Sequence, residues 1–163
     1  MDENGPVATV PAVKPPLGMY PARLDDKGRL KLPTVFQQFF NSIQADKLFV
    51  TSLDGRIGRI YPISVWRANE DLFDQYTDDP AALEDVLFNA QDLGSEVEMD
   101  GQGRITVNPE LRRELDLQGQ ELHLYAIKNR VEILTEALYQ ERKRRARPNA
   151  AESQKKLEMA GMK

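Results

Sequence analysis

The stretch Asp25-Asp26-Lys27-Gly28-Arg29-Leu30-Lys31-Leu32 decides how this chain is read, because Asp100-Gly101-Gln102-Gly103-Arg104-Ile105-Thr106-Val107 repeats its pattern 75 residues later. Each copy sets a carboxylate four residues before an arginine and a glycine directly before it. Glycine reaches the positive φ of a tight turn without a Cβ clash, and an aspartate at a turn accepts bonds from nearby amides. Polar and apolar residues then alternate through Leu30 and Leu32, and through Ile105 and Val107, as in a half-buried strand. A β-rich unit therefore occurs twice, and one extra residue before Pro109 shifts the offset beyond it.

Outward from the first motif, residues 17–24 read as an extended entry strand. Pro33-Thr34 opens a helix whose Val35, Phe36, Phe39, Phe40 and Ile43 share one face. Asp54-Gly55 marks a hairpin between strands at 47–53 and 56–61. Pro62 starts a helix on which Ile63, Trp66, Phe73 and Tyr76 share a face, and Asp79-Pro80 starts another carrying Leu83, Val86, Leu87 and Ala90. After Gly94 the order returns: strand, turn, strand, a short helix through Leu111 and Leu115, then strands at 122–127 and 131–134. The expected organisation is a flexible proline-rich arm at 1–16, a first unit at 17–61, an acidic helical connector at 62–92, a second unit at 93–137 and a basic helical tail at 138–163. The tail is expected to fray beyond Pro148.

Composition narrows the class. With 40% hydrophobic and 29% charged residues, and no apolar run near about 18 residues, this is a soluble globular chain without a membrane span. It has no cysteine, which excludes disulfides, thiolate metal sites and cysteine nucleophiles. Met1-Asp2-Glu3-Asn4 lacks the basic and apolar stretches of a secretory signal, so the cytoplasm is the expected compartment. The net charge of −4 speaks against nucleic acid only until its distribution is seen. Residues 62–98 hold one arginine against ten acids, residues 138–163 hold eight Lys and Arg against three Glu, and the two motif-bearing segments are together neutral.

Asp25 and Asp100, with Gly28 and Gly103, read as structural staples of the turns. Arg29 and Arg104 admit two readings: a structural ion pair, or a guanidinium preorganised to fork onto phosphate or a guanine edge. Lys27 would reinforce the first tip, but its counterpart Gln102 is neutral, so the tips are unequal. Lys31 and Arg23 extend the same candidate DNA-binding set. The run Arg142-Lys143-Arg144-Arg145-Ala146-Arg147 either adds sequence-independent attraction to nucleic acid or serves as a solubilising helix end. His123, the one histidine, reads as an exposed strand position and makes no metal site. No glycine-bounded serine with a histidine partner, no phosphate loop and no dinucleotide fingerprint is present, so no enzyme and no cofactor is expected.

Leu24 to Leu30 with Pro33, Leu48-Phe49-Val50-Thr51 before Tyr61-Pro62 and Trp66, Asn89-Ala90 before Glu96 to Asp100, and Gly103-Arg104-Ile105 with Pro109 and Leu111 together resemble the MraZ family of bacterial transcriptional regulators. The resemblance runs from Gly18 to about Ala137. It implies an α+β fold of two tandem swapped-hairpin AbrB/SpoVT-like β-barrel units joined by a helical connector. It also implies a ring-shaped homo-oligomer, cytoplasmic and nucleoid-associated, that binds promoter direct repeats and represses the division and cell-wall gene cluster. DNA is then the partner, with no membrane and no small-molecule substrate, and the family's DNA-contacting arginine maps onto Arg29 and, through the repeat, Arg104. The proline-rich arm and the ending Val131-Glu132-Ile133-Leu134 depart from the pattern. The competing reading is a structural or antitoxin-like interaction protein whose acidic connector or basic tail holds a protein partner.

Overall fold

The computed structural model describes residues 13–163, so most of the expected arm lies outside the described residues. Strands β1 (Met19–Ala22) and β2 (Arg29–Lys31) flank the first turn, and helix α1 (Thr34–Ser42) follows directly behind Pro33. Its Phe36, Phe39 and Phe40 are buried, as the three-and-four spacing requires. Strands β3 (Leu48–Ser52) and β4 (Gly58–Pro62) form the hairpin over Asp54-Gly55, and α2 (Ile63–Gln75) and α3 (Pro80–Leu93) form the connector. Asp79 caps α3 by accepting from the Ala82 amide, with Pro80 at the first helical position. The same order then recurs in full: β5 (Ser95–Val97), β6 (Arg104–Thr106), α4 (Pro109–Leu115), β7 (Leu122–Ile127), β8 (Arg130–Leu134), α5 (Glu136–Ala146) and α6 (Ala150–Met159). The fold is α+β, with every strand pair antiparallel.

The two copies keep their element order but interleave their strands. The larger sheet runs β1-β7-β8-β4-β3-β5, and β2 pairs with β6 in a separate two-stranded ribbon. Each copy's first strand therefore lies against the other copy's hairpin, and the registers correspond: Ala22 faces Leu122 as Val97 faces Leu48. Around the implied twofold, Leu30 faces Ile105 and Arg59 faces Glu132. One core serves both copies, with Leu30, Phe36, Phe40, Ile60, Ile105, Leu111, Leu124 and Ile133 at most 1% exposed.

The connector is fastened by Trp66, which packs on Phe49 at 4.8 Å and on Tyr61 at 5.2 Å between ring centroids. Buried Thr51 donates through Oγ1 to the Ala90 carbonyl at 2.8 Å, and Asn89 donates to the Leu53 carbonyl at 2.9 Å, so α3 lies on β3. Tyr76 falls beyond the end of α2 and is exposed instead of sharing the buried face.

The second copy corrects two expectations. His123 is buried, not exposed: its ring stacks on Tyr139 at 3.8 Å and its Nε2 lies 2.7 Å from Glu136 Oε1. Alternation assigned it to the outer face of β7, but α5 covers that face, and the His123–Tyr139 pair occupies the place of Phe49–Trp66 in the first copy. The tail beyond Pro148 does not fray but forms α6.

On the face away from the main core, Glu132 is 5% exposed and accepts from Arg130 Nε at 3.0 Å and from the Tyr125 hydroxyl at 3.0 Å, with Arg59 Nε at 3.4 Å. Removing one partner of a buried ion cluster leaves the opposite charges desolvated and unpaired. Glu132→Ala is expected to destabilise the fold by about 3–5 kcal/mol in urea denaturation, with a smaller loss for Glu132→Gln, which keeps the hydrogen-bond acceptor.

Candidate nucleic-acid interface

Each motif turn is a carboxylate clamp. Asp25 Oδ1 accepts the Lys27 and Arg29 amides, both at 2.9 Å, and Oδ2 accepts Arg29 Nε at 2.8 Å. Asp100 repeats this with the Gln102 amide at 2.8 Å, the Arg104 amide at 2.9 Å and Arg104 Nε at 2.8 Å. The clamp engages Nε and leaves the two Nη groups of each guanidinium outside it. The Arg29 amide, and then its side chain, hold the Asp25 carboxyl below its ordinary value, while the Arg104 amide leads in pulling Asp100 down to about 2. Gly28 and Gly103 both adopt φ of +76°, the conformation that calls for glycine.

The two clamps share one ribbon. In the β2–β6 register Arg29 faces Thr106 and Lys31 faces Arg104, while Leu30 faces Ile105. Because strand side chains alternate, Arg29, Lys31, Arg104 and Thr106 lie on one face and the fully buried Leu30 and Ile105 on the other. Two further bonds tie each turn to the strand leaving the other: Leu32 N to Gly103 O at 3.0 Å and Val107 N to Gly28 O at 2.9 Å. Three of the sequence-derived cations thus meet on a single face. Lys27 sits exposed on the first turn, and exposed Arg23 lines a shallow cleft with Lys31 and Glu121.

Sequence reasoning missed Arg112. It extends from α4 across Gly28, so close that a Cβ there would strike its guanidinium, and its Nε donates to the Val107 carbonyl at 3.2 Å. The corresponding residue at the second turn is Gln37 of α1, which lies over Gly103 and donates to the Leu32 carbonyl at 2.6 Å. The expected one-residue shift before Pro109 does not occur: Pro33 and Asn108 hold the same helix-cap position and buried Phe36 matches buried Leu111, so the 75-residue offset continues and links Gln37 to Arg112, the one signal the sequence offered. The first turn accordingly gathers Lys27, Arg29 and Arg112, where the second has Gln102, Arg104 and Gln37. The basic run lies elsewhere, on α5 and just beyond it: α5 packs on β7 and β8, and Lys143 sits 4.5 Å above the Tyr139 ring. Among the described residues there is no cluster of His, Cys, Asp and Glu able to hold a metal ion, and no helix long and apolar enough to cross a membrane.

Known proteins with similar sequences share a class: the curated relatives are each named a transcriptional regulator. "Transcriptional regulator MraZ" of Acidobacterium capsulatum is 35% identical over 102 residues, covering 63% of this chain and 70% of the relative. Its namesake in Koribacter versatilis is 35% identical over 104 residues, 63% of this chain and 71% of the relative. That of Pediococcus pentosaceus is 34% identical over 128 residues, covering 77% and 84%. The family model "MraZ protein", whose description carries an antitoxin-like label, matches residues 94–159. The chain belongs to the MraZ family.

The clamp has a pH signature. A carboxyl whose value is lowered by folding adds stability that is present above its unfolded value and is lost as pH falls through its folded one. For Asp100 the window therefore runs from the ordinary 3.8 down to about 2. The Arg104 amide resonance is expected to shift across this window and its exchange protection to fall, and Asp100→Asn should abolish the step.

Proposed function

We propose that the chain is a sequence-specific DNA-binding transcriptional regulator that reads promoter direct repeats through the outer face of the β2–β6 ribbon. The observation that carries this reading is the set of Arg29, Lys31 and Arg104 on one face, with both guanidiniums fixed by carboxylates before any ligand arrives. A two-stranded ribbon fits the major groove, and a guanidinium held by Nε still offers its Nη pair to a guanine edge or a phosphate. Membership of a family whose curated members are named transcriptional regulators supports the same reading.

In this account Arg29 is the main base reader. Lys27 and Arg112 beside it attract phosphate, and Arg23 and Lys31 extend the positive surface. Arg104 contributes more weakly, since its turn lacks the two flanking cations. The units at 17–61 and 93–137 act as tandem swapped-hairpin AbrB-like modules, with 62–92 as connector and 138–163 as a basic tail that adds salt-sensitive attraction. Several copies in a ring address successive repeats together, and linked modest sites gain about 100- to 10,000-fold in avidity when spacing permits. Occupancy of the promoter of the division and cell-wall gene cluster excludes polymerase, so repression needs no bond making and no cofactor. The protein acts in the cytoplasm at the nucleoid.

The test is promoter binding by folded variants. Arg29→Ala is expected to cost about 1–3 kcal/mol, roughly 10- to 100-fold, and to relax base preference, with a smaller loss for Arg104→Ala. Arg112→Ala should weaken all sequences alike and reduce the salt slope by about 1. Undiminished specific binding by the folded Arg29→Ala/Arg104→Ala protein overturns the assignment. The antitoxin-like label on the family favours one second reading, in which the same fold sequesters a protein toxin. Co-purification with such a partner, without salt-sensitive DNA binding, would establish it.

A further inference from the structure

We propose that α6 of one copy docks into the groove between α2 and α3 of a second copy, forming a head-to-tail joint between subunits. The inference rests on the homo-oligomer of the proposed function and names the surfaces that join it.

Two features without a partner among the described residues match. The first is an apolar groove of about 250 Å³ between α2 and α3, lined by Leu72, Phe73, Tyr76, Ala82, Leu83 and Val86. Leu72 is 62% exposed, far more than a long aliphatic side chain on a settled helix pair requires. Exposed Asp71, Asp74, Asp78, Asp79 and Asp85 neighbour these lining residues in the sequence, within a segment holding one arginine against ten acids. The second is α6, where every residue is exposed. A helix of ten residues is marginal in water alone, because nucleation is costly and packing supplies most helical stability.

The end of α6 is nonetheless tightly made. Met162 N donates to Leu157 O and Gly161 N to Glu158 O, both at 3.0 Å, with Gly161 at φ +119°. This cap brings Leu157 and Met162 together as an apolar knob, 57% and 44% exposed, beside Lys155, Lys156 and Lys163. An apolar knob with a basic surround is complementary in shape class and charge to an apolar groove with an acidic one.

The internal repeat explains why the partner is another copy. α3, the counterpart of α6 in element order, is held on β3 by Thr51 and Asn89, whereas α6 follows α5 on the β7–β8 side and has no such seat. Groove and knob thus belong to opposite halves of the twofold. A contact between unlike surfaces of identical chains propagates from copy to copy and closes when the rotation permits.

The chain has no cysteine, so single cysteines report unambiguously. Full-length Leu83→Cys and Leu157→Cys chains are mixed and treated with a short bismaleimide cross-linker. The expected result is a covalent two-chain product well above that from Leu157→Cys mixed with Gln118→Cys. Equal yields from the two mixtures overturn the joint, as does cross-linking confined within a single chain carrying both Leu83→Cys and Leu157→Cys. In parallel, Leu157→Asp/Met162→Asp is weighed by light scattering, with circular dichroism to confirm folding; loss of the assembled mass is expected. If this folded variant keeps the assembled mass, the joint is wrong while the homo-oligomer stands. If the unmodified protein is itself a single chain, the homo-oligomer falls and the joint with it.

Discussion

Leu30 lies opposite Ile105 at the middle of the β2–β6 ribbon, and the rest of the molecule is arranged around that crossing. Both side chains are fully buried, so the ribbon is pinned to the core through one face and its polar face has to look outward. Alternation then leaves no freedom: once Leu30 and Ile105 point in, Arg29, Lys31, Arg104 and Thr106 point out. A slip of one residue in either strand would bury cations and expose the core, which is a strong constraint on register. The same crossing joins the two copies, because among the described strands β2 pairs with β6 of the other copy. The larger sheet continues the exchange, with β1 on β7 and β5 on β3.

The two copies share a scaffold but not its surround. The clamps themselves are nearly identical in geometry, to the tenth of an ångström in most bonds. What differs is the surround: Lys27 and Arg112 at one turn, Gln102 and Gln37 at the other. The helices that close each copy differ in the same way. Trp66 and α3 cover β3 with an acidic pair of helices, while Tyr139 and α5 cover β7 with a basic one. The chain thereby places opposite charges at the two ends of a nearly symmetric scaffold, and its modest net charge conceals both.

Local elements were legible in the sequence wherever periodicity or turn chemistry is local. Phe36, Phe39 and Phe40 announced α1, Asp54-Gly55 announced the β3–β4 hairpin, and the two Asp-x-x-Gly-Arg motifs announced the clamps. The pairing of β2 with β6 was not legible from the residues themselves, since nothing within β2 states which remote strand will pair with it; a swapped-hairpin arrangement came only as what the family resemblance implies. His123 was misplaced because alternation distinguishes two faces of a strand but not whether the second is covered; Tyr139 of α5 covers it. Arg112 was missed for a related reason: its role depends on the phase of α4 against a hairpin from the other copy. α6 was missed because an Ala-, Ser- and Lys-rich stretch after Pro148 carries no wide apolar face, and its order shows only in the cap at Gly161.

In the function proposed for this chain, the outward face of the ribbon meets DNA and the basic run of α5 is secondary to it. Backbone amide resonances followed during titration with a promoter fragment test this most directly. The largest changes are expected at residues 27–31 and 103–106 and at Arg112, with smaller, salt-sensitive changes along 142–147. Changes confined to 142–147, with the ribbon amides unmoved at saturation, would contradict it.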